Sequence, residues 1–182
     1  MIVLAGASAS GKTEVAKELA KKYGVTKVIT TTTRKMRNGE VNGRDYFFVS
    51  KDEFETMVHD GKFVEYTIFN ENFYGSTKDQ IEPNKCVVID PAGLRAYIAL
   101  KDPSIITFYL DSTEETRFKR MLARGDDPED AKRRIKHDRL AFKPENVANV
   151  DFHINSETHS VEEVCDDVYQ KYQKTLEAKG LK

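Results

Sequence analysis

The chain has 182 residues, enough for one sizeable core with small inserted subdomains. Apolar residues make up 39% and charged residues 32%, the balance of a globular protein with a generous solvated surface. The formal net charge of −1 excludes a broad electrostatic attraction to nucleic acid or membrane, so any anion must be bound by local clusters of arginine and lysine.

In chain order, MIVLA (1–5) reads as a buried strand. No basic region or cleavage site precedes it, so no signal peptide is expected. GASASGKT follows, then the amphipathic helix TEVAKELAKKYG with Gly24 as its stop. VTKVIT (25–30) is a second strand, running into the four threonines 30–33. Residues 31–80 break the rhythm, with short strands in DYFFV and KFVEYTIF around one helix begun by Ser50/Glu53. CVVID (86–90), SIITFYL (104–110) and VDFHI (150–154) complete the buried strands. Ser112/Glu115 and Ser160/Glu163 repeat the serine–glutamate capping box, and Asp127-Pro128 starts another helix with proline at its first position. Residues 120–145 form an arginine-rich helical excursion.

Strands alternating with helices imply an α/β fold with a parallel sheet covered on both faces. The expected organisation is a single domain, 1–182, with a core of 1–30, 81–119 and 146–182. Residues 31–80 and 120–145 are two subdomains set upon it. Cys86 and Cys165 read as buried free thiols, which fits a reducing compartment and a cytoplasmic location. His59, His137, His153 and His159 show no metal-ligand spacing. No apolar run approaches the roughly 20 residues that span a bilayer.

The strongest chemical signal is Gly6, four residues, then Gly11-Lys12-Thr13, the P-loop pattern placed between a strand and a helix. Glycines let backbone amides turn onto phosphate oxygens, and the helix start adds partial positive charge. Lys12 would reach the β- and γ-phosphates and Thr13 would hold Mg²⁺. Asp90 ends the third core strand, at the carboxyl edge where open α/β sheets bind ligands; a plain helix cap is the alternative.

Taken together, these residues resemble the guanylate kinase family nearly end to end. TTTRKMRNGEVNGRDYFFVSKDEF is similar to that family's T-T-R-x-x-R-x-G-E-x-x-G-x-D-Y-x-F-V segment. FVEY, NFYGST, the Asp90 strand, Arg124-Gly125 and Asn155 follow in the family's order. The resemblance implies a P-loop nucleoside monophosphate kinase fold: a parallel five-stranded sheet with flanking helices, a mixed α+β GMP-binding subdomain at 31–80 and a helical lid at 120–145. It implies ATP- and Mg²⁺-dependent phosphorylation of GMP, and of dGMP, to the diphosphate, with no nucleic-acid or membrane partner.

The resemblance gives Glu65 a role that a strand alone does not. Guanine offers two adjacent donors, N1–H and the N2 amino group, and an ionised glutamate can accept both. Thr30, Ser76 and Asp90 are expected near the base. Arg34, Arg37, Tyr46 and Tyr74 are expected on the monophosphate, with Glu40 orienting an arginine or accepting from the nucleotide. Gly6, Ala7, Ser8, Ala9, Ser10, Gly11, Lys12, Thr13 and Asn155 would hold ATP. Lys12 with the lid arginines Arg120, Arg124 and Arg134 would carry catalysis, Arg133 being the alternative to Arg134. Asp90 would assist Thr13 at the metal through water.

Three features depart from the family pattern. Ala7 and Ala9 stand where proline and glycine are common, and alanine suits position 9 only if its φ stays negative. Val88 replaces the first acid of a D-x-D pair. The chain is also slightly short, with Met1 opening the first strand. Two other readings are a P-loop kinase of another small phosphorylated acceptor, and a non-catalytic guanylate-kinase-like binding module.

Overall fold

A computed structural model describes residues 1–181; residue 182, the last of the expected core segment, lies outside the described residues. Nine strands and seven helices are assigned among them. The centre is β1 (Ile2–Ala5), buried at every position. Ile2 and Leu4 face one apolar cluster with α1 (Lys12–Tyr23) and α7 (Val161–Ala178). Met1, Val3 and Ala5 face another with α3 (Pro91–Ala99). A strand apolar on both faces must be interior to a sheet covered on both sides. β1 accordingly pairs in parallel with β7 (Lys85–Ile89) and β8 (Ile106–Asp111). β2 (Thr26–Lys27) and β9 (Phe152–Asn155) close the edges, giving the order β2-β7-β1-β8-β9.

The helix signals act as their chemistry dictates. α1 stops at Gly24, whose amide returns to Ala20 O. Ser50 and Ser160 form reciprocal capping boxes with Glu53 and Glu163 on α2 (Lys51–His59) and α7. Asp127 caps α5 (Pro128–Ala141) by accepting from the amides of Glu129 and Asp130. A four-residue helix, α6 (Pro144–Val147), follows. At α4 (Glu114–Ala123) the expected Ser112/Glu115 box gives way to Thr113 as the cap. Thr113 accepts from Thr116 N–H at 3.2 Å and donates to Glu157 at 2.6 Å, while Glu115 pairs with Lys119.

The strand expected over 25–30 contracts to two residues. The Gln80 side chain takes both backbone groups of Ile29, accepting from its N–H at 2.8 Å and donating to its carbonyl at 2.7 Å. The last bond to β7 is Val28 N–H on Cys86 O, and the Gln80 amide satisfies the backbone of the residue that follows. The chain then enters a second sheet, ordered β4-β3-β6-β5, from β3 (Thr31–Thr32), β4 (Phe47–Phe48), β5 (Phe63–Phe69) and β6 (Asn72–Thr77). β6 adds a strand where the sequence suggested only a post-turn segment. β5 and β6 form a hairpin with an irregular register between Phe63 and Glu65, which leaves Glu65 opposite Ser76. Phe54 of α2 packs beneath, its ring 4.4 Å from that of Phe63 and 5.2 Å from that of Phe73.

Cys86 and Cys165 are both buried and unpaired. Among the described residues no helix is long and apolar enough to cross a membrane.

Gly75 is needed where Phe63 crosses β6. A Cβ there would lie 2.7 Å from the Phe63 ring and 3.0 Å from Glu65 O. Gly75→Ala is therefore expected to destabilise the fold by about 1–3 kcal/mol through overpacking, read as a lower denaturant midpoint with an unchanged slope.

Candidate active site

Parallel strands end on one edge, and that edge carries the chemistry. Ala5 registers with Ile89 and Tyr109, and Asp111 with Asn155, so the P-loop, Asp90 and Asn155 emerge side by side. The loop turns tightly at Gly6, where a Cβ would meet Leu110 O at 3.0 Å. Gly11 provides no side-chain cap to α1, so the first amides of the helix remain available to an anion. Lys12 folds back, donating to Gly6 O at 2.6 Å and Ala7 O at 2.9 Å. Burial pushes its ammonium down to about 8, against the opposing pull of Asp138.

The condition under which alanine suits position 9 is not met: its φ is +61°. It is the third residue of a turn closed by Ser10 N–H on Ala7 O at 3.1 Å, a position that favours the left-handed region when the turn is of type II. An L-residue there costs roughly 1–2 kcal/mol.

Two cavities flank Lys12. One, of 470 Å³, is lined by Thr13, Arg120, Arg124, His159 and Val161 beside the loop. The other, of 530 Å³, lies among Ser8, Asp90, Arg95, His137 and Asp138. Asp90 is shared with a third hollow of 310 Å³ walled by Glu65, Tyr66 and Thr67. Asp90 does cap α3, accepting from Gly93 N–H at 2.8 Å through Oδ1. It also lines both hollows, so capping α3 does not remove it from them.

Glu65 is half-buried and accepts from the Ser76 hydroxyl at 2.6 Å. Burial raises its carboxyl above the usual range; Asp90 adds to the shift and the Ser76 hydrogen bond opposes it. Nearby, Glu40 grips Arg34 through two hydrogen bonds, at 2.6 and 3.1 Å, and accepts from the Arg37 amide at 2.7 Å. Glu40 thus orients the Arg34 guanidinium. The Arg34 guanidinium sits 5.2 Å from the centre of the Tyr46 ring, which meets Tyr74 edge-on at 6.2 Å. The Arg37 side chain is exposed. Thr30 is half-buried, its carbonyl accepting from Phe47 N–H.

Of the expected lid arginines, Arg120 reaches the loop, donating to Ala9 O at 3.3 Å and to Ser156 O at 2.5 Å. Arg124 lines the same cavity but is clasped by Asp126 at 2.9 and 2.5 Å. Arg134 also leans on Asp126, at 3.3 Å, in a separate surface hollow, and Arg133 pairs with Asp130. Neither lines the P-loop cavity. Asn155 caps the turn after β9, accepting from Glu157 and Thr158 amides, and leaves that cavity wall to Ser156, His159 and Val161.

Sequence reasoning missed Arg117 and Asp138. Their side chains are 6% and 7% exposed, and Asp138 Oδ2 accepts from Arg117 at 3.1 Å and from Ser8 N–H at 2.8 Å. A signal existed: Ala131, Ile135 and Asp138 share the i, i+4, i+7 face of α5, so the lone acid of a basic run stands at an inward position.

A glycine-rich strand-to-helix loop with cations beside it, and a neighbouring hollow lined by Glu65 and Asp90, are the parts expected of a phosphotransferase with separate donor and acceptor sites. Comparison with known proteins narrows this. The guanylate kinase profile matches residues 1–177. The guanylate kinase of Fusobacterium nucleatum is 30% identical over 176 residues, 92% of each chain. That of Anaplasma phagocytophilum is 30% identical over 92% of this chain and 83% of its own. For the Clostridioides difficile guanylate kinase, 35% identity extends over 71% of this chain and 66% of that relative, just under two thirds of its length. The crystal structure of the Anaplasma enzyme superposes with a TM-score of 0.61 over 96% of this chain and 84% of that one, at 24% identity, a likeness of fold. The chain belongs to the guanylate kinase family, and phosphoryl transfer from ATP to GMP is the reaction its site has to explain.

The state of Glu65 yields a pH prediction. A Glu65 that accepts two hydrogen bonds from guanine, as expected from the sequence, must be ionised, and burial holds its pKa above the ordinary 4.5. KM for GMP should therefore be low above that pKa and climb as pH falls through it, beginning at higher pH than for a solvated glutamate. A Glu65→Gln enzyme should lose this acid limb, and initial-rate kinetics across pH check both statements.

Proposed function

We propose that Glu65 and Ser76 read the guanine edge of GMP, that Arg34, Arg37, Tyr46 and Tyr74 hold its phosphate, and that the P-loop holds ATP. The observation that carries this reading is Glu65, held by the buried Ser76 hydroxyl and lining a hollow that it shares with Asp90, which also lines the Lys12 cavity. An acceptor seated there would point its phosphate toward the donor loop.

The acceptor is an anionic phosphate oxygen, so no general base is required. The protein's part is alignment, neutralisation of charge on the transferring group and exclusion of water. Lys12 would leave the carbonyls of Gly6 and Ala7 for the transferring oxygens, and Arg120 would leave Ala9 O for the donor phosphates. Arg124 and Arg134 would join it as residues 120–145 close over ATP, releasing their shared partner Asp126. Thr13, exposed in the first turn of α1, and the Asp90 carboxylate are hard oxygen donors that fit Mg²⁺ with retained waters and phosphates. When bound, the metal would screen charge between the donor phosphates. The 2′-hydroxyl has no assigned partner, so dGMP is expected to serve as well. Buried free thiols and an ATP-dependent reaction fit a cytoplasmic setting.

The test is coupled ADP release with GMP, dGMP, AMP, CMP and UMP, with and without Mg²⁺. GMP should be preferred by orders of magnitude, and equal use of AMP would sink the base-reading assignment. Glu65→Gln should lower kcat/KM for GMP by about 10- to 150-fold, from the ~1.5–3 kcal/mol of a charge-assisted hydrogen bond. Lys12→Ala should depress turnover while GMP binding, measured by calorimetry, survives. Removing the orienting acid with Glu40→Ala should raise KM for GMP and leave KM for ATP unchanged. A shift in KM for ATP instead would move Arg34 out of the acceptor site.

A further inference from the structure

The P-loop of this chain carries a local difficulty and, beside it, an unusual pair. Ala9 sits at φ +61°, in a region that L-residues avoid, at the third position of the Ala7–Ser10 turn. An alanine there relaxes toward negative φ unless its surroundings prevent it, and such a relaxation would rotate the loop amides away from an incoming phosphate. Both sides of Ala9 are held. Upstream, the Ser8 N–H donates to Asp138 Oδ2 at 2.8 Å. Downstream, the Ala9 carbonyl accepts from Arg120 at 3.3 Å.

Asp138 is anchored in turn by Arg117, whose guanidinium donates to the same carboxylate oxygen at 3.1 Å. Arg117 and Arg120 are three apart on α4 and share a face, so one helix carries both the lasting upstream support and the Arg120 contact that the donor phosphates would take over. Asp138 comes from α5, so the loop and both helices meet at a single oxygen. Arg117 Nε is buried without a partner, so the pair is not fully compensated. A buried ion pair is a weak source of stability, which favours a geometric role for one placed here.

We propose that the Arg117–Asp138 pair clamps the P-loop in its phosphate-receiving shape around the left-handed Ala9, making both of them positioning residues for ATP. The clamp rests on the reading that this loop binds ATP, and not on GMP being the acceptor. A glycine at position 9 would adopt the positive φ without support. The clamp and the alanine are therefore coupled, which gives the proposal a specific signature.

The experiment measures the Kd of ATP by calorimetry without acceptor, and that of GMP separately, alongside thermal melting. Removing the pair together with Arg117→Met/Asp138→Ala avoids stranding one buried charge. ATP binding is expected to weaken about tenfold while GMP binding holds. Adding Ala9→Gly should bring ATP back to within about threefold of the parent. Asp138→Asn, of the same shape, gives a second route should the double variant not fold, and Ala9→Gly should relieve its ATP defect likewise. The proposal is overturned if ATP affinity does not move while the melting temperature falls, the mark of a purely structural pair. It is equally overturned if ATP binding weakens and Ala9→Gly restores nothing. An error in the acceptor assignment would appear separately, as absent GMP binding by the parent protein.

Discussion

The structure depends on the burial of β1 on both of its faces. Alternate residues of MIVLA enter two different apolar clusters, so the strand has no wet face and its neighbours must run parallel with helices above and below. Parallel strands share a carboxyl edge, and the P-loop and Asp90 therefore emerge next to each other although 79 residues separate Gly11 from Asp90 in sequence. The hydrophobic pattern of five residues thus decides where the phosphate chemistry is performed. The chain between these strands is free to carry the second sheet, whose Glu65 is turned to the same edge by the hairpin register.

A second regularity concerns how the cations wait. None of the arginines or the lysine at the proposed phosphate positions with a hydrogen-bonded side chain makes its contact at random. Lys12 and Arg120 rest on backbone carbonyls, while Arg34 and Arg124 rest on acids close by in sequence, Glu40 and Asp126. A carbonyl is a weaker partner for a cation than a phosphate dianion, so the first pair exchanges readily as the donor enters. Glu40, by contrast, grips Arg34 with both oxygens, at side-chain exposures of 20% and 13%, and leaves the remaining guanidinium donors in fixed directions. Preorganised and releasable cations are two different solutions: Arg34 shows the first, Lys12 and Arg120 the second, and Arg124, proposed for the donor side, is held by an acid as Arg34 is.

Much of this was legible in the residues, and the failures have physical causes. The five core strands, the P-loop, two serine capping boxes and the acid at Asp90 follow from periodicity and local chemistry that the tertiary structure does not contradict. The second strand is shorter than its apolar pattern because the chain leaves β7 after Val28, and the Gln80 amide, 51 residues from Ile29, takes up the backbone of Ile29 in a way that no local pattern announces. At 112–116 the motif S-T-E-E-T offers two caps, and the Glu157 carboxylate selects Thr113 by bonding both threonines. The positive φ at Ala9 was judged from intrinsic preference alone, and the neighbouring helices override it. Asp138 escaped notice because it stands among lysines and arginines, where an acid reads as a solvated counter-charge; its inward face on α5 carried the contrary message.

The two acids of the base hollow show why imperfect solvation is useful at a recognition site. Glu65 is partly desolvated and feels Asp90, so its charged form lacks part of the stabilisation that water would provide, with the hydroxyl and backbone of Ser76 in compensation. A ligand edge presenting two protons relieves that deficit, whereas one presenting a lone pair, as the ring N1 of adenine does, deepens it. A fully solvated glutamate would gain less from the correct base, because each new hydrogen bond would replace one already made to water. On the proposed reading, discrimination would arise as much from what burial withholds from Glu65 as from what guanine supplies, with Asp90 kept in place by the Gly93 amide.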